Sequence, residues 1–139
     1  MRLHKTLPSR VDAIVPCMKD ILGQLQKEFL LDDEIMFNIK LALEESLTNA
    51  IKHGNKLDPS LDVEVTVFSE GPRLTIKVKD QGQGFDHINV PDPTQKDRLL
   101  LTSGRGVFLI RKLMDEVTYL DGGREICMVK FLSKDKGKA

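Results

Sequence analysis

Three short stretches carry residue types whose spacing could support chemistry. In the first, Glu45 and Asn49 stand four residues apart, which on a helix puts a carboxylate and an amide oxygen on one face, one turn apart. Hard oxygen donors of this kind suit Mg²⁺, which keeps its waters and binds through few protein groups plus phosphates. A plain solvated helix face is the alternative. Glu45 lies about 40° round the helix from Asn49 and the neighbouring Glu44 about 140°, so only Glu45 shares that side. Lys52 and His53 extend the polar set, although a lone histidine is more often structural than a ligand.

The second stretch is Asp80-Gln81-Gly82-Gln83-Gly84-Phe85. Leu74, Ile76 and Val78 alternate ahead of it, and the period of two sends Asp80 to the same inward side. An inward carboxylate is costly unless it finds a donor. A backbone amide of the following turn would serve, and so would the amino group of a ligand. Glycines there permit positive φ or a close approach. The third stretch, Ser103-Gly104-Arg105-Gly106, precedes an apolar run that begins at Val107. Free N–H groups at a helix start, with a partial charge of about +0.5, attract anions. Arg105 would be solvated there, or would pair with a phosphate or a partner. Neither glycine cluster has the spacing of a dinucleotide fingerprint or a P-loop, and no nucleophile elbow or metal-ligand cluster occurs.

The elements that must position these residues can be read from periodicity. Met1 to Thr6 suits an edge strand. Ser9 offers an N-cap to apolar residues from Val11 to Phe29 at helical spacing. Pro16 interrupts that pattern, so either the helix kinks there or it begins near Pro16. Asp32 and Asp33 can cap a second helix from about Glu34 to His53, stopped by Gly54-Asn55. Alternating residues 62–67 and 73–78, joined by Ser69-Glu70-Gly71-Pro72, predict an antiparallel hairpin. Asp86 to Ser103 shows no period and suggests a functional flap. Gly104 to Gly106 opens a third helix through Met114. Strands at 116–120 and 125–132 flank Asp121-Gly122-Gly123, a second hairpin. The order predicts an α+β two-layer sandwich over 1–139 as one domain, with 133–139 a frayed tail.

Composition bounds the function. The chain has 139 residues, 21 Lys plus Arg and 21 Asp plus Glu, so it is formally neutral. Neutrality argues against a direct nucleic-acid partner, whose affinity would rest on neutralising phosphates. No apolar run is long enough for a membrane span and no signal peptide is evident, so a cytoplasmic protein without a membrane partner is expected. Cys17 and Cys127 are far apart and read as reduced thiols, although one disulfide stays open. The start at Met1 and the polar tail favour a complete chain over a domain cut from a longer one.

Taken together, the three stretches resemble the ATP-binding fold shared by gyrase, histidine kinases and mismatch-repair ATPases, the Bergerat fold with its mostly antiparallel sheet. More narrowly, Glu45-Ser46-Leu47-Thr48-Asn49-Ala50 and Gly104-Arg105-Gly106, running on to Leu109-Ile110 and Leu113-Met114-Asp115-Glu116-Val117, are similar to the anti-sigma-factor serine kinases of bacterial partner-switching systems. The resemblance covers nearly the whole chain. It implies ATP and Mg²⁺ as cofactors, with Glu45 as general base and Asn49 holding Mg²⁺. Asp80 would accept from the adenine amino group, with Gly82 and Gly84 shaping the adenine wall. Gly104, Arg105 and Gly106 would cradle phosphates under a lid of Asp86 to Ser103, with His53, Phe85, Ser103 and Val107 completing the nucleotide contacts. It further implies a homodimer that sequesters a sigma factor and phosphorylates a serine of a STAS-type antagonist, the anti-anti-sigma factor. The rival is an ATP-binding regulatory module without catalysis. Glu45 favours the enzyme, because a pure binder has no use for a base.

Overall fold

In the computed structural model, residues 1–83, 102–132 and 134–135 are described. Five strands form one sheet in the order β1-β3-β4-β6-β5, every neighbouring pair antiparallel. They are β1 (Arg2–Pro8), β3 (Asp62–Glu70), β4 (Arg73–Lys79), β5 (Glu116–Leu120) and β6 (Glu125–Phe131). Val63, Val65 and Val67 of β3, Leu74, Ile76 and Val78 of β4, and Ile126 and Met128 of β6 point to one face. There they join a core with Ile21 and Leu25 of α1 (Ile14–Glu28), Ile39, Leu43 and Leu47 of α2 (Asp33–Thr48) and Ile110 of α3 (Thr102–Leu113). Helix α2 packs against both α1 and α3. The result is the expected two-layer α+β sandwich with an antiparallel sheet.

Several local expectations are corrected. Ser9 is not an N-cap: its hydroxyl donates to the Leu61 carbonyl at 2.6 Å and accepts from Asn55 Nδ2 at 2.8 Å. A 3₁₀ turn, Val11–Ala13, leads into α1 instead. Pro16 is the third residue of α1, inside the first turn, where a backbone donor has no intrahelical partner to lose. The open choice at Pro16 therefore resolves in favour of a helix that begins there. Asp32 does cap α2, its side chain accepting from the Ile35 N–H at 2.8 Å.

Helix α2 runs on without a break into a π-helical segment, Asn49–Gly54. Helix α3 starts at Thr102, two residues before the expected opening at Gly104, so Ser103 to Gly106 lie within its first turns. The tail is not wholly frayed, because β7 (Lys134–Asp135) pairs with β2 (Phe29–Leu30). Both cysteines are free thiols. Gly84, Phe85 and the expected flap up to residue 101 lie outside the described residues. Among the described residues, no helix is long and apolar enough to cross a membrane.

Candidate functional site

A cavity of about 220 Å³ lies between the sheet and the ends of α2 and α3. Its floor is one cross-strand row: Val78 on β4 is paired with Ile126 on β6, which is paired with Tyr119 on β5. Ser46 lines it from α2, Asn49, Ala50, His53 and Gly54 from the π-helical segment, and Val107 and Ile110 from α3. Asp80, Gly123 and Arg124 complete the described lining. The π-helical segment holds Asn49 and His53 at opposite ends of its first four intervals, and single π turns of this kind gather at functional sites.

Asp80 is buried, as the strand period predicts. Its Oδ1 accepts from the Gly82 N–H at 2.8 Å, so the turn amide satisfies one carboxylate oxygen. Burial raises the Asp80 carboxyl above its usual range, and the Asp121 carboxylate adds to this. The Gly82 amide and the Arg124 guanidinium pull it back. Gly54 lies flat against this carboxylate: a Cβ there would come within 2.9 Å of Asp80 Oδ1 and closer still to Oδ2. A Cβ on Gly82 would in turn strike the Gly54 carbonyl. Both glycines therefore serve close approach, and neither adopts positive φ.

Asn55, buried just beyond the π-helical segment, ties this corner together. Its Oδ1 accepts from the Gln81 N–H at 2.8 Å, while Nδ2 donates to Ser9 Oγ at 2.8 Å and to the Asp62 carbonyl at 3.0 Å. Gln81 Oε1 accepts in turn from the Asp62 N–H at 2.7 Å. Arg124 Nε donates to the Gly82 carbonyl at 2.7 Å. The Asp80 segment is thus pinned from the helix end, from β3 and from the β5–β6 turn.

Asn49 also lines the cavity, and its side-chain oxygen is buried and has no hydrogen-bond donor among the described residues. An orphaned amide oxygen facing a cavity is the kind of donor that a hard cation takes up, so Mg²⁺ fits this residue. Among the described residues, no cluster of three His, Cys, Asp or Glu could hold an ion unaided. A bound ion would draw its other ligands from water and from whatever fills the cavity.

Of the residues anticipated from sequence, Asn49, His53, Asp80 and Val107 line the cavity together. Glu45 is half-buried one turn before Asn49 but is not among the lining residues. Gly82 stands behind Asp80, and Ser103 to Gly106 supply helical backbone near the start of α3. Sequence reasoning missed Tyr119, Ile126, Gly123 and Arg124, which reach the cavity only through strand register. It read Gly54 and Asn55 only as a helix stop. Val78 was within reach, since it shares Asp80's strand face. Burial pushes the Tyr119 phenol up to about 12, with Arg111 opposing, so the hydroxyl is neutral at physiological pH.

The model for histidine kinase-like ATPase domains matches residues 7–130. Among curated proteins, the chain is 34% identical over 105 residues to the serine-protein kinase RsbW of Staphylococcus epidermidis. It is 34% identical over 106 residues to the protein of that name in Staphylococcus aureus. Each match covers 70% of this chain and 66% of the relative, just under two thirds of the relative's own length.

Proposed function

The chain belongs to the histidine kinase-like ATPase family, and from that membership we propose that it is an ATP-dependent protein-serine kinase that also acts as an anti-sigma factor. The observation that carries the reading is that one cavity is lined both by a buried carboxylate, Asp80, and by Asn49, whose amide oxygen is orphaned among the described residues. A nucleobase amino group would donate to Asp80. The apolar row Val78, Ile126 and Tyr119 would lie under the flat ring. The phosphates would run toward Asn49 and the N–H groups at the start of α3, where helix geometry favours anions.

Mg²⁺, when held by Asn49, would neutralise phosphate charge. The protein's own residues would do the rest. Asp80 orients the base, the first turn of α3 binds phosphate, and Glu45 accepts the proton of a serine hydroxyl as its oxygen bonds to the γ-phosphorus and ADP departs. The serine would belong to a STAS-type anti-anti-sigma factor, and the competing client would be a sigma factor. The working form would be a homodimer in the cytoplasm.

Mutation of the two adjacent glutamates tests this. Glu45→Gln should bind ATP nearly normally, yet phosphorylate the antagonist at least about a hundredfold more slowly, as loss of a general base requires. Glu44→Gln, exposed on the other side of α2, should keep both activities. A second reading, an ATP-binding regulatory module without transfer, is favoured by the absence of Glu45 from the cavity lining. That reading prevails if neither change affects phosphate transfer.

A further inference from the structure

Among the described residues that line the cavity, Arg124 has the only permanent positive charge, and nothing in the function proposed above uses it. Its main chain and side chain grip the same short segment. The Arg124 carbonyl accepts from the Asp80 N–H at 2.9 Å, and its Nε donates to the Gly82 carbonyl at 2.7 Å. The guanidinium is itself held in place. Nη1 donates to the Asp121 carbonyl at 3.1 Å and lies 3.6 Å from Asp121 Oδ1. The turn that presents it needs left-handed backbone at Asp121, Gly122 and Gly123, with φ of 54°, 64° and 90°. A Cβ on Gly122 would stand 3.4 Å from Nη1.

Both polar groups of the Gly82 main chain are therefore committed. Its N–H fixes Asp80 Oδ1 and its carbonyl is fixed by Arg124. We infer that Arg124 is the positioning residue for Asp80: by anchoring Gly82 it sets the orientation of the carboxylate that the cavity presents to a nucleobase. The inference rests on the adenine reading for its functional consequence, but not for its structural content. Among the described residues, the charges that act on Asp80 are those of Arg124 and Asp121. Arg124 and Asp121 come from the β5–β6 turn, and Lys79 on β4 is paired with Asp121 at 3.5 Å. His53 and Tyr119 line the same cavity from the π-helical segment and β5, and the described side chains that α3 contributes are Val107 and Ile110. Among the described residues, Arg124 is the cation whose charge lowers the Asp80 carboxyl, and its loss should make Asp80 harder to ionise.

The test uses the full chain with Arg124→Met, Arg124→Gln and Arg124→Lys. Asp80 is followed by carboxyl NMR titration without nucleotide, and ATP and ADP affinity by calorimetry. With Met or Gln, the Asp80 midpoint should move to higher pH and the Gly82 amide should exchange faster. ATP and ADP affinity should fall by the same factor, about tenfold at neutral pH. Lys should keep the midpoint near that of the parent chain, because the charge remains. An Asp80 midpoint and a Gly82 amide unchanged in both Met and Gln variants would overturn the inference. If those signals move as expected while the parent chain binds no adenine nucleotide, the positioning role stands and the adenine reading fails. Should the Met variant not fold, an Asp80 midpoint and a Gly82 amide unchanged in the Gln variant alone would overturn it.

Discussion

Asp80 carries a conflict between stability and binding that can be measured. Its carboxyl is buried and held above its ordinary range, so the folded chain retains the proton to higher pH than the unfolded chain. The associated stability is present in full below the ordinary carboxylate range and is lost as pH rises through the raised value. Asp80→Asn keeps an oxygen for the Gly82 amide but removes the charge. In urea titrations from pH 4 to 7, its stability relative to the parent chain should therefore rise with pH. Its ATP and ADP affinity should meanwhile fall at least about fivefold, because an amide can set a donor against the nucleobase amino group. A variant that loses stability with rising pH, or binds both nucleotides normally, would refute the role given to this carboxylate. Asp80 was legible in the sequence because a strand alternates with a period of two and the residue ends a strand with three apolar partners. Arg124 was not, because its sequence neighbours form a turn and its contacts lie 42 residues away at Gly82.

The elements show what local pattern can and cannot say about a glycine. Gly54 ends a helical segment, and a left-handed stop was the natural reading. The left-handed residues are instead Lys56 and Leu57, with φ of 53° and 60°. Gly54 is required because the Asp80 carboxylate occupies the space of its Cβ, a constraint that exists only once β4 meets the helix end. Gly23 lies in the middle of α1 with nothing within 4 Å of where a Cβ would stand. Gly23→Ala should therefore stabilise the fold by about 0.5–1 kcal/mol through helix propensity. Gly54→Ala should destabilise it by about 1–3 kcal/mol through overpacking, and should weaken nucleotide binding as well. Chemical denaturation of the two variants checks both signs at once. The π-helical turn at Asn49–Gly54 was equally invisible beforehand, since its apolar residues satisfy an α-helical pattern just as well. Helix α3 starts at Thr102, two residues ahead of the expected opening at Gly104, because helix propensity gives no reason to extend a helix back beyond its glycines.

At the scale of the whole molecule, both hairpins were legible from their turns, but their adjacency was not. Placing β4 beside β6 joins the two hairpins and creates the row Val78, Ile126 and Tyr119 that floors the cavity. Pairing between distant strands leaves no local mark on a sequence. The same holds for β7, whose pairing with β2 ties part of the expected tail to the end of α1. The proposed function depends on one cavity in which Asp80 would read a nucleobase and Asn49 would hold the metal that accompanies phosphates. The measurement that tests it most directly is a calorimetric titration of the full chain with ATP, with Mg²⁺ and then with the metal chelated, alongside Asn49→Ala. The parent chain should bind one ATP, at least about tenfold more tightly with Mg²⁺. Asn49→Ala should bind with the weaker affinity in either medium. A parent chain indifferent to Mg²⁺, or an Asn49→Ala variant that keeps the full metal dependence, would contradict it.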